Sequence, residues 1–387
     1  MRPSGDIGTI YSFCNSPFTF INKLIAKHGI DSATYNPNIK PFAVFDWDNT
    51  SIIGDVEEAT FYYLVTELRF RINPDELYEI IRKNVDRNDF SDSYKSLDGK
   101  TINIDKISAD IYEAYRRLYG TSDRLGGDVS FEIIKETNAY KEFVAKMFFR
   151  YQAASIDKNA EDPYCWMTFL LTNYKKEEIY DLCNEAFSYI KSQKARTEVF
   201  TSPDIQAKSG RVATSYFVGM GDVAEMVNLF DSLEANGIDV YVVSASAQDI
   251  VRAFARANSY NFDKNKVLGL RLNKDGEGRL ISSLDKSYPI TQKEGKSETI
   301  RKFIQNKNNY GPILVGGDSD GDYDMLTVFK ESDLGIIIDV DRYGKINELK
   351  KAALAGSDRF VLQARDKFAK CFIEEERSEE CTLKIMK

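Results

Sequence analysis

The stretch PFAVFDWDNT, residues 41–50, decides the fold of this 387-residue chain. Its apolar run, residues 42–45, has no helical period and ends abruptly in an acidic cluster that begins at Asp46. A short apolar run that ends in polar residues is typical of a buried parallel strand. Ligands of parallel sheets bind beyond the carboxyl ends of the strands, so we expect a polar site here.

Three downstream runs repeat this pattern. Residues 240–243 end at Ser244, residues 313–315 are followed by two glycines and Asp318, and residues 334–338 end at Asp339. A helical pattern follows each run, and this alternation predicts an α/β fold with a Rossmann-like, doubly wound parallel sheet. The polar clusters are expected to converge, because the carboxyl ends of parallel strands meet at one edge of the sheet.

Residues between the first and second strands differ in character. Strand signals are scarce there and helical periodicity dominates, which predicts a large inserted α-helical cap domain at residues 56–224. The catalytic core would then comprise residues 1–55 and 225–387. Paired glycines within residues 275–278 predict a β-hairpin over residues 268–284, which we assign to the sheet domain. Helices are predicted at residues 57–70, 74–85, 107–118, 131–149, 176–191 and 223–235.

Composition limits the classes of partner. Hydrophobic residues make up 43% and charged residues 29%, which is typical of a globular protein. The formal net charge of −8 offers no positive field for a phosphate backbone, so we expect no nucleic-acid partner. The sequence contains no run of about 18 apolar residues, so we expect no transmembrane helix and no membrane partner. The oligomeric state is left open.

The first residues and the cysteines bear on the compartment. No charged start followed by an unbroken apolar run occurs, which predicts a cytoplasmic protein for the chain as given. A trimmed mature form of a periplasmic or secreted protein would fit the same residues. The five cysteines form no CxxC pair and are expected to be buried free thiols. A disulfide between Cys371 and Cys381 is the alternative in an oxidising compartment.

Phosphomonoester hydrolysis requires an attacking oxygen, a divalent cation and a proton donor for the leaving group. Asp46 and Asp48, two residues apart at a strand end, can supply the nucleophile and the proton. Clustered carboxylates after the third run can supply oxygen ligands for Mg²⁺. These are Asp318, Asp320, Asp322 and Asp324.

Two further side chains suit a phosphoryl group. Ser244 can donate a hydrogen bond to a phosphoryl oxygen, and Lys296 can hold a phosphate as a point charge. Ser246 and Lys293 are competing candidates for these roles. His28 is the only histidine and is expected on a helix surface, which excludes histidine-based catalysis.

Together these segments resemble the four motifs of haloacid dehalogenase (HAD) superfamily phosphatases, in order and at fitting strand ends. The resemblance covers roughly residues 40–55 and 225–365. The motifs are Phe45-Asp46-Trp47-Asp48-Asn49-Thr50, Ser244 after its apolar run, Gly295-Lys296-Ser297-Glu298, and residues 317–326, which read GDSDGDYDML.

The resemblance implies specific roles. Asp46 would be the nucleophile that forms an aspartyl-phosphate, and Asp48 the general acid and base whose backbone carbonyl also ligates Mg²⁺. Asp318 would be the second metal carboxylate, and Asp322 would support the metal site and Lys296. Ser244 would bind the phosphate. An acid at Asp48 indicates a phosphatase, since the dehalogenases and ion pumps of the superfamily lack it.

The substrate is predicted from a narrower resemblance. The inserted cap and the hairpin are similar to those of phosphoserine phosphatases and of the related phosphorylcholine phosphatases. Glu57-Glu58, the GDSDGD cluster and residues 361–366 favour the second group. We therefore expect a small phosphomonoester such as phosphorylcholine. Phosphoserine hydrolysis, phosphotransfer to another acceptor and a weakly catalytic phosphometabolite-binding protein are the alternatives.

Three residues are predicted to contact this substrate: Trp47, Asn49 and Glu58. Aromatic faces and carboxylates hold quaternary ammonium groups. Tyr62, Tyr63 and Trp166 could complete such a cage, or they could belong to the cap core.

Overall fold

The computed structural model describes residues 15–157, 165–305, 310–340, 342, 344–366 and 371–372. The chain divides into two compact units. We call the first the sheet unit; it comprises Met1–Val56, Met220–Arg271 and Lys286–Lys387. We call the second the helical unit; it comprises Glu57–Gly219 and Leu272–Asp285.

The strands of the described residues are numbered along the chain. They are β1 (Phe42–Phe45), β2 (Ile52–Ile53), β3 (Arg196–Thr201), β4 (Ala213–Val218), β5 (Gly221–Asp222), β6 (Asp239–Ala247), β7 (Val267–Leu270), β8 (Leu272–Lys274), β9 (Leu280–Leu284), β10 (Leu314–Gly317), β11 (Leu334–Asp339), β12 (Phe360–Asp366) and β13 (Cys371–Phe372).

The helices are numbered in the same way. They are α1 (Asn15–His28), α2 (Val56–Thr66), α3 (Pro74–Arg82), α4 (Ile104–Leu118), α5 (Phe131–Ile134), α6 (Asn138–Asp157), α7 (Cys165–Phe169), α8 (Lys176–Lys191), α9 (Ala224–Ala235), α10 (Gln248–Ala257), α11 (Glu294–Ile300), α12 (Tyr323–Thr327) and α13 (Ile346–Leu354).

The sheet unit is built on a central sheet with strand order β13-β12-β11-β10-β1-β6-β7. Strand β1 lies between β10 and β6 and is parallel to both. The strands from β12 to β7 are all parallel, and β13 pairs antiparallel with β12 at the edge. The apolar runs after residues 41, 239, 312 and 333 therefore lie side by side in one sheet.

Helices cover both faces of this sheet. Phe42 and Val44 of β1 belong to a buried cluster that also contains side chains of α11, α12 and α13. Phe45, which points to the other face, packs on Phe230 of α9 with ring centroids 4.8 Å apart. A parallel sheet buried on both faces explains why its strands read as continuous apolar runs. The doubly wound α/β prediction is confirmed.

The helical unit departs from the predicted pattern in two places. The helix expected over residues 131–149 is broken into α5 and α6, because Thr137 ends one turn and its hydroxyl accepts a hydrogen bond from the Tyr140 amide at 3.2 Å. Strands β3 and β4 form an antiparallel hairpin with an unbroken register from Arg196 to Thr201. Strands were expected to be scarce in this part of the chain.

The hairpin predicted over residues 268–284 is placed differently by the structure. Its first residues belong to β7 of the central sheet, and the hairpin itself is formed by β8 and β9. Leu280 exchanges backbone hydrogen bonds with Asn173 and Tyr174, each 2.9 Å long. These bonds attach the hairpin to the helical unit, so its assignment to the sheet domain is wrong.

The described residues bear on membrane spanning and on the cysteines. No helix of the described ranges is long and apolar enough to cross a membrane. Cys165 and Cys183 are buried thiols that form no disulfide bond. The alternative disulfide cannot be described, since Cys381 lies outside the described residues.

Candidate active site

Three carboxylates come together at the carboxyl edge of the central sheet. Asp46 directly follows β1, and Asp318 directly follows the neighbouring strand β10. Asp322 precedes α12, and one oxygen from each of the three carboxylates lies within 4.8 Å of the others. All three side chains are buried. Strand order alone thus brings together residues that are far apart in the sequence.

Lys296 lies within this group of carboxylates. Its Nζ, on α11, is 2.5 Å from Asp46 Oδ1 and 2.6 Å from Asp322 Oδ1. Burial alone would lower the pKa of Lys296, but Asp322 and Asp46 outweigh burial and raise that pKa. The competing candidate, Lys293, has an exposed side chain. The structure therefore brings Lys296, and not Lys293, to the carboxylates.

Asp322 organises the turn that follows β10. Its Oδ2 accepts hydrogen bonds from the backbone amides of Asp318 at 3.0 Å and Ser319 at 3.1 Å. A Cβ atom on Gly317 would lie 2.5 Å from the Cβ of Asp322, so only glycine allows this approach. Asp322 thus fixes both the backbone of Asp318 and the ammonium of Lys296.

Asp46 and Asp318 share a hydroxyl group. Thr50 Oγ1 lies 3.2 Å from Asp46 Oδ2 and 3.1 Å from Asp318 Oδ1. Burial, and then repulsion by Asp322, raises the pKa of Asp46 well above its ordinary value. Burial also raises the pKa of Asp318, against the opposing effect of Arg342. Burial thus disfavours the charged form of both acids, and nearby cations oppose this effect.

Asp48 lies in a separate hydrogen-bonding environment. Its Oδ2 accepts hydrogen bonds from Ser244 Oγ at 3.1 Å and Ser246 Oγ at 2.7 Å. Its Oδ1 accepts one from the Val56 amide at 2.8 Å. Burial raises the pKa of Asp48, and these three donors, with Ser246 first, limit the rise. Both candidate serines are thus at the site, and both bind Asp48.

Two arginines at the site were missed in the sequence. Arg342 Nε lies 2.8 Å from Asp318 Oδ2. Arg365 donates to the Ile52 carbonyl at 2.6 Å and to Asn49 Oδ1 at 3.3 Å. Arg342 follows β11 by three residues, and Arg365 is the penultimate residue of β12. The rule that strand ends face the site could have found both.

Trp47 is buried in the core of the sheet unit. Its ring is 0% exposed and packs on Tyr260 at 4.9 Å and Phe254 at 6.0 Å between centroids. Tyr260 also contacts Phe230, on which Phe45 packs, so the Trp47 ring belongs to the same group of packed aromatic side chains as Phe45. The ring thus belongs to the core of the sheet unit, and contact between Trp47 and a substrate stays a prediction.

The other predicted substrate residues have protein partners. Asn49 adopts a left-handed backbone conformation, with φ of 58°, and its amide oxygen accepts from Arg365. Glu58 is part of the helical unit, where the hydroxyl of Tyr151 donates to it. Their contacts with a substrate stay predictions.

The aromatic residues proposed for a cage are buried in the helical unit. Tyr62 donates to Glu198 at 3.0 Å, and Tyr63 donates to Glu185 at 3.1 Å. The guanidinium of Arg150 covers one face of Trp166, 3.7 Å from the ring centroid. These contacts favour the interpretation that the aromatic residues form a core.

The three carboxylates suit a hard divalent cation. Mg²⁺ prefers oxygen ligands, and it is usually bound by one or two carboxylates together with substrate phosphate. Asp46, Asp318 and Asp322 offer such oxygens. The pKa values of Asp46 and Asp318 are raised, first by burial and also by repulsion from Asp322, so a cation at this place would favour their charged forms. Asp48 does not contribute a side-chain oxygen to this group, and the use of its backbone carbonyl stays a prediction. The donor set therefore fits Mg²⁺.

Fold and site together define an α/β protein with a carboxylate-rich site at the carboxyl edge of a doubly wound sheet. A crystal structure of a conserved, functionally unknown protein from Anaerococcus prevotii DSM 20548 is 52% identical, with a TM-score of 0.90, over 94% of this chain and 96% of that one. The chain belongs to the same protein family as that protein.

More remote solved structures are also similar. A protein of unknown function from Bordetella pertussis Tohama I is 15% identical over 84% of this chain and 98% of that one, with a TM-score of 0.42. A phosphoserine phosphohydrolase-like protein from Francisella tularensis is 11% identical over 83% and 94%, with a TM-score of 0.36. Scores this low do not bear on the function of this chain. No protein-family model and no curated protein matches it.

Proposed function

We propose that this protein is a Mg²⁺-dependent phosphatase of the HAD superfamily, which hydrolyses a small phosphomonoester through an aspartyl-phosphate on Asp46. One observation carries the proposal: Asp46 is buried beside Lys296, Thr50 and two further carboxylates, at the end of the central strand. The four motif segments that suggested the activity lie within one unit of the protein. A bound Mg²⁺ would offset the negative charge of the phosphoryl group.

Asp46 is suited to act as the nucleophile. The ammonium of Lys296 lies 2.5 Å from its Oδ1 and favours the charged carboxylate, against the effect of burial. In the first step an Asp46 oxygen bonds to phosphorus, and the bond from phosphorus to the substrate oxygen breaks. In the second step water attacks phosphorus, which releases inorganic phosphate and restores the carboxylate.

Asp48 is suited to move the proton in both steps. Its raised pKa allows it to hold a proton and to give it to the leaving alkoxide. The resulting carboxylate can then take a proton from the attacking water. Ser244, Ser246 and the Val56 amide fix the position of this acid.

The proposed substrate is an amino-alcohol phosphate such as phosphorylcholine, with phosphoserine as the alternative. Glu57-Glu58 and the sequence of the sheet unit support the first choice through their resemblance to phosphorylcholine phosphatases. The stacking of Arg150 on Trp166 removes one support for an aromatic cage. We further propose that the helical unit acts as a cap that selects the substrate.

A direct assay tests the activity. Purified protein is incubated with phosphorylcholine, phosphoethanolamine or phosphoserine, with Mg²⁺ or with EDTA, and released phosphate is measured. We expect Mg²⁺-dependent release that is lost in Asp46→Asn and retained in Asp324→Asn, a carboxylate outside the buried group. Release that persists unchanged in Asp46→Asn would contradict the mechanism.

The same preparation separates the alternatives. A phosphometabolite-binding protein would show calorimetric binding of a phosphomonoester without phosphate release. The buried acid Asp48 argues against it, since binding alone needs no proton donor. A phosphotransferase would yield a new phosphate ester when alcohols are added.

A further inference from the structure

The helical unit contains a buried cation without an anionic partner among the described residues. Arg150, on α6, is 1% exposed. Its Nε donates to the carbonyl of Ile81 at 2.8 Å, near the carboxyl end of α3, where free carbonyls are common. Its other two nitrogens, Nη1 and Nη2, have no hydrogen-bond partner in the described part of the chain.

Trp166 adds a third unmet donor at the same place. The guanidinium carbon of Arg150 lies 3.7 Å from the centroid of the Trp166 ring, so the two groups are stacked. The indole Nε1 is also buried and has no partner among the described side chains and backbone groups. Three nitrogens that can only donate hydrogen bonds are thus buried in one stacked pair.

A second buried cation on the same helix, Lys146, is paired with carboxylates, unlike Arg150. Lys146, one turn before Arg150, is 0% exposed and binds Asp110 at 2.8 Å and Glu142 at 2.5 Å. Arg150 has no corresponding carboxylate among the residues that the structure describes. Burial lowers the pKa of Arg150 to about 9, so the side chain is still a cation at neutral pH.

Water alone cannot satisfy both the hydrogen bonds and the charge of Arg150. Ordered water can accept hydrogen bonds from buried donors, but it leaves the net charge of the guanidinium uncompensated. A buried charge is costly unless it is paired. The missing partner must therefore accept several hydrogen bonds and carry negative charge.

We propose that Arg150 and Trp166 form a binding site for a small oxyanion, a carboxylate or a phosphate group. Its oxygens would accept from Nη1 and Nη2 of Arg150 and from Nε1 of Trp166. A planar guanidinium matches two oxygens of either group, and stacking on an aromatic ring restrains its orientation. The competing interpretation is structural: Arg150 would only bind the Ile81 carbonyl and pack on Trp166.

Tryptophan fluorescence provides a local test, because the chain contains only Trp47 and Trp166. In a Trp47→Phe background, emission comes from Trp166 alone. The full-length variant is titrated with sodium phosphate or sodium acetate in EDTA at constant ionic strength. We expect a saturable change in emission with at least one anion, and the anion that acts identifies the group. Thermal unfolding in the same buffers should show stabilisation by that anion.

Variants of Arg150 decide between the two interpretations. Arg150→Met in the same background should lose both the saturable change and the stabilisation. Arg150→Lys keeps the positive charge but loses the planar guanidinium that can bind two oxygens. This variant should bind the anion at least about tenfold more weakly. Arg116→Met serves as the control, because Arg116 is an exposed arginine of the same unit that pairs with Glu113. It should titrate like the parent.

Three results would overturn the proposal. The first is an emission that neither anion changes. The second is the same saturable change in Arg150→Met, which would place the anion elsewhere. The third applies if Arg150→Met does not fold, and it is an equal anion affinity of Arg150→Lys and the parent. A guanidinium that binds two oxygens cannot be replaced by a point charge without loss of affinity.

Discussion

Asp46 illustrates how single residues set the chemistry of this site. Burial and, after it, the neighbouring acids raise the pKa of Asp46, and the ammonium of Lys296 opposes them and lowers it. A buried carboxylate without a cationic partner would take up a proton and lose its nucleophilic character. The position of Lys296 therefore matters as much as that of Asp46 itself.

Replacing Lys296 should cause a large loss of activity. We expect Lys296→Met to lower kcat by about 10²-fold or more, the size of effect found when one charge-stabilising donor is removed from an active site. Lys293→Met, three residues away and exposed, should retain parental activity. Steady-state kinetics with the best substrate would measure both. Equal activities for the two variants would exclude a role for Lys296.

The pKa of Asp48 should depend on Ser246. The Ser246 hydroxyl donates to the carboxylate and lowers the pKa, so Ser246→Ala should raise it. A proton donor is active below its pKa, and its loss of activity should move to higher pH in the variant. A pH–kcat profile tests this, with Ser246→Thr as the control that keeps the hydroxyl. An unshifted alkaline limb in Ser246→Ala would argue against Asp48 as the donor.

At the scale of elements, the sheet could be predicted better than the positions of single side chains. The runs at residues 42–45 and 334–338 match β1 and β11 closely, because buried parallel strands are continuous apolar runs. The packing of Trp47 on Phe254 and Tyr260 could not be predicted, because these partners lie more than 200 positions later in the sequence.

Strand β3 could have been predicted from its sequence, whereas the unit to which the β8–β9 hairpin belongs could not. Strand β3 alternates between half-buried and exposed residues and carries β-branched side chains, a signal that helical patterns nearby obscured. The membership of the β8–β9 hairpin depends on backbone bonds between Leu280 and residues more than 100 positions earlier. No local pattern contains that information.

The buried ion pairs between α4 and α6 should support the helical unit. Asp110 binds Lys146 and also accepts from the Ser209 hydroxyl at 2.6 Å. Burial would raise the pKa of Asp110, but these partners outweigh it and lower the pKa. The stabilisation is therefore present above the ordinary pKa of 3.8 and is lost as pH falls below it.

We expect Asp110→Asn to destabilise the protein by about 3 kcal/mol at pH 7, since it leaves a buried lysine with one fewer carboxylate. Chemical denaturation at pH 7 and pH 3 would measure the effect, which should shrink at the lower pH. Asp105→Asn, a more exposed acid on the same helix, is the control. A loss that is the same at both pH values would argue against the ion pair as its source.

At the scale of the whole molecule, Mg²⁺ binding should increase the thermal stability of the protein. Ligands that bind only the folded state stabilise it by about 2.7 kcal/mol at a concentration of 100 Kd. Mg²⁺ should therefore raise the melting temperature of the parent protein, and Asp318→Asn should reduce this shift. Asp324→Asn is the matched control. Equal shifts in the parent and Asp318→Asn would contradict the proposed metal site.

The metal effect should grow with pH. The pKa values of Asp46 and Asp318 are raised in the folded protein, so their stabilising effect is present below 3.8 and is lost as pH rises through the folded values. A divalent cation offsets the repulsion between the resulting carboxylates. The Mg²⁺-dependent shift in melting temperature should thus be larger at pH 7 than at pH 4, as calorimetry can measure.

The chain passes between the two units four times, at 56/57, 219/220, 271/272 and 285/286. The helical unit is therefore encoded by two separate stretches of the gene. A stretch for residues 57–219 alone would lack the hairpin whose backbone binds Asn173 and Tyr174. Gain, loss or exchange of this unit during evolution would then require two coordinated events, which favours inheritance of both units together over shuffling of one.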